Sequence, residues 1–259
     1  MIVDAVIPAL DEAAAIGLVL DSIPRPPVRR VVVCDNGSRD ATARVASAHG
    51  AEVVHEPRRG YGAACLRALD ALAGDPPDVV LFLDADRSDD PGEAGEILRP
   101  IFAGRADLVI GSRTLGASER GALTPQARFG NWLATRLLRA LYGVRYTDLG
   151  PFRAIRYRSL IALGMRDRDF GWTVEMQVKA ARAGLRSEEV PVRYRRRVGR
   201  SKISGTVSGT VRAGIKILGT IAVDYLRLGP PRLEGARRRS AGGAGGDEGR
   251  AATKGRAAP

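Results

Sequence analysis

The stretch Pro77 to Asp90 reads PDVVLFLDADRSDD, and its reading decides the fold. Val79, Val80, Leu81, Phe82 and Leu83 are an unbroken apolar run rich in β-branched and aromatic residues. A run without alternation predicts a central strand buried on both faces of a sheet. It ends on Asp84, Ala85, Asp86. In an open parallel sheet, ligands bind beyond the carboxyl ends of the strands. Two carboxylates at that edge repel each other unless a positive charge sits between them. Carboxylate oxygens suit hard cations such as Mg²⁺ or Mn²⁺, and Mg²⁺ is commonly held by one or two carboxylates together with substrate phosphates. The motif therefore suggests a metal-bridged diphosphate at Asp84 and Asp86. The competing explanation is a helix cap, because an Asp-rich turn followed by Pro91 often opens a helix.

Working outward, strands alternate with helices at the spacing of βαβ units, which predicts an α/β fold with a mainly parallel sheet. Ile2 to Leu10 reads as the first strand and about Ala13 to Ser22 as a helix. Arg29 to Cys34 reads as a second strand, about Ala41 to His49 as a helix, and Glu52 to His55 as a short third strand. A helix over Ala63 to Ala73 leads into the central strand. A helix over about Pro91 to Phe102 and a strand over Ala106 to Gly111 follow. Beyond Gly111 the pattern loosens. Helices are expected over about Pro125 to Tyr142, Thr173 to Ala183 and Val207 to Leu228, with a late strand over Glu189 to Arg195. One domain is expected over residues 1–228. Residues 229–259 are rich in Gly, Ala and Arg without periodicity and read as a disordered basic tail.

The bulk composition narrows the partners. The net charge is +12, of which the tail carries +4, so the body itself is basic and calls for anionic partners. Aromatic residues make up only 5% of the chain, too few for stacking platforms, and no specific nucleic-acid partner is expected. Cys34 and Cys65 form no disulfide framework, and no basic-then-apolar leader opens the sequence. The expected location is cytoplasmic, peripheral at the cytoplasmic face of a membrane. No apolar run reaches bilayer-spanning length.

Several acids and arginines fall at expected strand ends. Asp35 follows the second strand, where an acid can accept hydrogen bonds from a ribose or a base, or else form a simple Asx turn. Glu12 follows the first strand. Arg58-Arg59-Gly60-Tyr61-Gly62 is a basic turn whose backbone can approach a phosphate closely.

The ordered set PALDEA, VVVCDNGSRDAT, RGYGAA, FLDADRSDDP and GSR resembles the GT-A glycosyltransferases of family 2. The nearest likeness is to the dolichyl- or polyprenyl-phosphate sugar synthase branch, over roughly residues 1–228. The resemblance implies an inverting, metal-dependent transferase that moves a sugar from a nucleotide-diphosphate sugar to a polyprenyl phosphate. A hydroxyl acceptor on a glycan or small molecule is the alternative. It places nucleotide at Pro8, Ala9, Glu12 and Asp35, with Gly60 in the turn beside them, and Mg²⁺ or Mn²⁺ at Asp84 and Asp86. Where the branch often has Gln as a further metal ligand, this sequence has Ser88, with Asp89 next, leaving Ser88, Asp89 or water to serve. It implies acceptor-phosphate contacts at Arg113 and Arg128, and an acceptor region around Asp148 and Arg153. Glu175 is implied to face the transfer site, and Arg197, Arg200, Ser201 and Lys202 to form a basic loop over the diphosphate. Taken alone, Glu175 beside Lys179 is an ordinary i,i+4 pair. The helix over Val207 to Leu228 carries an apolar stripe that suits either an interfacial membrane helix or packing on the core.

Overall fold

The computed structural model describes residues 1–199 and 207–229. The basic loop residues Arg200, Ser201 and Lys202 lie outside the described residues, as does the expected tail from residue 230 onward.

Seven strands build one sheet: β1 (Val3–Ala9), β2 (Val28–Asp35), β3 (Glu52–His55), β4 (Val79–Phe82), β5 (Leu108–Ser112), β6 (Arg153–Arg156) and β7 (Ser187–Pro191). Their order is β3-β2-β1-β4-β6-β5-β7. β2 and β4 flank β1 in parallel, and β6 is inserted antiparallel between β4 and β5. The helices are α1 (Ile16–Ser22), α2 (Thr42–Ala48), α3 (Tyr61–Leu72), α4 (Ala94–Phe102), α5 (Pro125–Tyr142), α6 (Tyr157–Leu163), α7 (Trp172–Arg182) and α8 (Val207–Leu228).

The expected central strand is β4, and its unbroken apolar pattern follows from burial on both faces. Val79 and Leu81 join a core layer with Ala5, Ile7, Ile16 and Ile97, beneath α1 and α4. Val80 and Phe82 join the opposite layer with Ala64, Leu138 and Trp172, beneath α3, α5 and α7. The Phe82 and Trp172 rings meet edge-on with centroids 6.1 Å apart, a favoured aromatic geometry. α5 shows its bounds in its sequence. The Thr124 side chain accepts from the Ala127 amide, Pro125 takes the first turn, and Gly143 ends the helix at φ 70°.

Two expectations shift. The first helix begins at Ile16 rather than Ala13, because the Glu12 carbonyl takes the amides of Ala15 and Ile16 in a preceding turn. The late strand is Ser187–Pro191, earlier than expected, held by its register against β5. Two elements, β6 and α6, have no counterpart in the sequence reading. β6 is four residues long with an arginine at each end, so it lacks a strand's usual pattern.

Candidate functional site

The order of the sheet reverses at β1, since β2 and β3 lie to one side and β4 to the other. The carboxyl ends of β1, β2 and β4 therefore open a cleft at that switch point. A cavity of about 250 Å³ lies there, lined by Pro8 and Ala9 at the end of β1 and Glu12 after it, Asn36 after β2, Gly60 and Tyr61 at α3, and Asp84 and Asp86 after β4. A second cavity of about 500 Å³ adjoins it, framed by the start of α5, by Tyr194, and by Gly214 and Ile217 of α8. Tyr61, Asp84, Phe170 and Arg197 line both. The two chambers thus meet at the Asp-Ala-Asp turn.

Asp84 is half-buried and accepts from the Tyr61 hydroxyl at 3.1 Å. Burial and the neighbouring Asp86 charge push its carboxyl up to about 7. Asp86 accepts from the Ser88 amide at 2.9 Å and pairs with the Arg197 guanidinium at 2.9 Å. The segment carrying Arg197 lies across this turn, with the Arg195 and Val198 amides bonded to the Ser88 and Asp86 carbonyls. Ser88 Oγ and both Asp89 carboxylate oxygens are buried without a hydrogen-bond partner. Burial and Asp84 push the Asp89 carboxyl up as well. This concentration of buried, under-compensated oxygen donors fits a hard divalent cation. Among the described residues no three His, Cys, Asp or Glu side chains converge on one metal point. The described residues therefore offer at most two such ligands at one point, with diphosphate or water left to complete a shell.

The turn at Gly60 is set by packing. Asn36 bridges it, donating to the Glu56 and Arg58 carbonyls and accepting from the Gly60 amide at 2.8 Å. The 165–171 loop sits directly on the glycines, and the Gly62 and Ala63 amides donate to the Asp169 and Arg168 carbonyls. A Cβ on Gly62 would overlap the Asp167 carbonyl oxygen. Gly62→Ala is therefore expected to lower stability by about 2 kcal/mol and to displace the loop that closes the smaller cavity. Thermal unfolding together with nucleotide titration checks this.

The remaining expected site residues divide. Pro8, Ala9, Glu12, Gly60, Asp84, Asp86 and Arg197 line the first cavity. Arg113 lines the second, and Arg128 lines an adjoining 850 Å³ cavity beside Phe129 and Trp132. Asp35 does not line the first cavity. Its carboxylate accepts from the Ser38 amide and meets His55 Nδ1 at 3.2 Å, the Asx-turn alternative, while its neighbour Asn36 faces the cleft.

Two further expectations, for Arg153 and Glu175, are corrected by the contacts these side chains make. Arg153 reaches neither cavity; it is fully buried and its guanidinium is spent on the carbonyls of Leu149, Gly150 and Thr173. Glu175 does not face the transfer site. It accepts from the Arg166 and Asp167 amides and pairs with Lys179 at 2.8 Å, so it anchors the 165–171 loop. Asp148 lines the 850 Å³ cavity together with Arg113 and Arg128, and there it is paired with Arg113 by two side-chain bonds of 2.8 and 2.6 Å; Arg113 lies over the Tyr194 ring. Both carboxylates are engaged by these partners.

Sequence reasoning missed Asn36, Tyr61, Phe170 and Tyr194. Asn36 and Tyr61 stand next to singled-out residues, and the rule that successive side chains of a strand point to opposite faces was the available signal that Asp35 and Asn36 part.

A sequence model described as Glycosyl transferase family 2 matches residues 4–164. An uncharacterized glycosyltransferase of Mycobacterium tuberculosis is 39% identical over 212 residues, covering 82% of this chain and 94% of the relative. The dolichyl-phosphate hexose transferase of Haloferax volcanii is 33% identical over 220 residues, covering 84% of this chain and 93% of the relative. Among solved structures, glucosyl-3-phosphoglycerate synthase from Mycobacterium tuberculosis in complex with Mn²⁺ and UDP-glucose matches with a TM-score of 0.66 at 26% identity, covering 90% of this chain and 80% of that one. Sheet order, cleft and family match agree: the chain is a glycosyltransferase of family 2, built on a GT-A fold.

Proposed function

We propose that the protein transfers a sugar, with inversion, from a nucleotide-diphosphate sugar to a polyprenyl phosphate. The observation that carries this is the meeting of two chambers at Asp84, Tyr61, Phe170 and Arg197. The smaller chamber takes the nucleotide sugar and the larger takes the acceptor. The complex of the synthase with Mn²⁺ and UDP-glucose supports the donor class. The name of the Haloferax relative supports a lipid phosphate acceptor.

Asp84 and Asp86 would hold a divalent ion, which when bound supplies positive charge beside the departing diphosphate. Arg197 stands at the same place and adds charge to the leaving group, where electrostatic help is largest. Arg200, Ser201 and Lys202 belong to the same basic loop in this reading. The acceptor needs no strong base. A phosphate monoester has its second pKa near 6, so a nucleophilic oxygen already exists at neutral pH. That suits a site in which Glu175 and Asp148 are both engaged elsewhere. Arg113 and Arg128 hold the acceptor phosphate in this reading.

The larger chamber is framed by α5 and α8, and exposed apolar side chains cluster on those helices. Phe129 and Trp132 stand out from α5, and Ile215, Val223 and Leu226 from α8. Arg128 and Arg136 flank the aromatic pair, and Arg136 stacks on Trp132. Interfacial aromatics edged by cations suit the surface of an anionic membrane. Among the described residues no helix is long and apolar enough to cross one, so the contact proposed is peripheral.

A second reading has a hydroxyl acceptor, favoured by the likeness to glucosyl-3-phosphoglycerate synthase. It requires a base within hydrogen-bond reach of the hydroxyl. The deciding experiment offers UDP-glucose or GDP-mannose with Mn²⁺ or Mg²⁺, and either a short polyprenyl phosphate in anionic vesicles or 3-phosphoglycerate. Transfer to the lipid phosphate is expected, lost with chelator and reduced roughly 10²–10³-fold in Asp86→Ala. Transfer to the hydroxyl alone would overturn the lipid reading.

A further inference from the structure

The carboxylates around the donor chamber are nearly all engaged. Asp84 is bonded to Tyr61, Asp86 to Arg197, and Glu12 also has an interaction partner. Asp169 differs. It is exposed and lines the donor chamber, yet among the described residues no hydrogen bond or ion pair reaches its carboxylate.

Its position is fixed by the backbone around it. The Asp169 amide donates to Asp167 Oδ1 at 2.7 Å, and its carbonyl accepts from the Gly62 amide at 3.2 Å. Asp167 is itself tied to Lys216 of α8 at 3.1 Å, and its amide is bonded to Glu175. The loop is therefore pinned to α3, α7 and α8, and it holds Asp169 over Gly60. The next residue, Phe170, lines both chambers, so Asp169 stands close to their junction.

We infer that Asp169 reads the transferred sugar, accepting hydrogen bonds from its hydroxyls and so setting donor specificity. The inference rests on the donor reading above. A carboxylate without a cation partner repels a diphosphate, so of the donor's own parts it favours a neutral, hydroxyl-bearing one. An ionised carboxylate is purely an acceptor, with about four lone-pair sites, and suits vicinal hydroxyls. A site built to bond a substrate hydroxyl strongly rejects an analogue that lacks it. Ribose and transferred sugar both offer such hydroxyls. Proximity to Phe170 at the junction favours the sugar, and the experiment below separates the two.

Wild type and Asp169→Asn, as full chains with Mn²⁺, are titrated calorimetrically with UDP, UDP-glucose, GDP and GDP-mannose, and with deoxy analogues of the tighter-binding donor. Asn keeps the backbone contacts and the side-chain shape. The expected result is unchanged melting and unchanged nucleoside diphosphate affinity, with the nucleotide sugar weakened roughly 10- to 100-fold. One deoxy donor should bind wild type with a similar loss and bind the variant with no further loss. Equal weakening of nucleoside diphosphate and nucleotide sugar would place the contact on the ribose or the loop and overturn the inference. Unchanged donor affinity would overturn it too. Wild type that binds no donor sinks the donor reading and this assignment together. Donor binding without lipid transfer sinks only the acceptor reading.

Discussion

Asp84→Asn is expected to melt at a higher temperature than the wild type while transferring no sugar. Asp84 is half-buried, and its desolvation together with the Asp86 charge raises its carboxyl from 3.8 to about 7. In the unfolded chain that carboxyl gives up its proton near pH 4; in the folded chain it keeps the proton to about pH 7. Between those limits the unfolded state binds fewer protons, so stability falls as pH rises, and above pH 7 the full penalty applies. Asparagine has no proton to lose and its carbonyl still accepts from Tyr61. The gain should therefore be negligible near pH 4 and full at pH 8, on the order of a few kcal/mol. The same substitution removes the charge that would hold a cation, so activity is lost. Chelator-treated protein melted at pH 5 and at pH 8, with and without Mn²⁺, tests both halves. A cation between the carboxylates relieves the penalty in wild type alone, so Mn²⁺ should narrow the difference. An Asn variant that melts no higher than wild type at pH 8 would show that Asp84 is not strained.

That strain was legible in sequence only as a spacing. Five apolar residues running into Asp-Ala-Asp located the central strand and the acids at its edge, because the reading depends on local pattern alone. Gly60 was legible for a similar reason, since a glycine turn after a strand permits close approach. The tasks of Arg113, Arg128 and Arg153 were not. All three stand in apolar or turn contexts, but one is clamped by Asp148, one lines an open cavity and one is buried among carbonyls. What separates them is which distant segment folds over each, and chain order does not specify that. Glu175 makes the same point: its partners are two amides eight and nine residues earlier, brought back by the turn after α6. Asp35 and Asn36 differ by a single position, yet they fall on opposite sides of the cleft wall. β6 stayed hidden because an antiparallel insertion leaves no trace in a βαβ rhythm.

Arg153→Ala should cost roughly 3–5 kcal/mol of stability, about the largest effect a single side chain here can have. Arg153 is fully buried on β6, the strand that joins β4 to β5. Its Nε donates to the Gly150 carbonyl at 2.9 Å, and one Nη reaches Leu149 at 2.9 Å and Gly150 at 2.5 Å. The other Nη reaches Thr173 at 2.9 Å, across the site's floor at the start of α7. Among the described residues no carboxylate is one of its hydrogen-bond partners, and burial lowers its pKa to about 10, which still leaves it charged at neutral pH. Truncation opens a cavity and leaves three carbonyls to find new donors. Lysine restores the charge, but a single ammonium on a flexible stem cannot reproduce the planar fork that spans two segments. Arg153→Lys should therefore remain well below wild type. For a chain of this size each kcal/mol moves the melting temperature by about 2–4 °C, so the Ala variant should melt about 10 °C lower. A phosphate-binding arginine would behave in the opposite way, with normal melting and weakened acceptor binding. Thermal unfolding set beside acceptor KM, measured at a temperature where both variants are folded, separates the two roles. A variant that melts like wild type but needs far more acceptor would return Arg153 to the substrate.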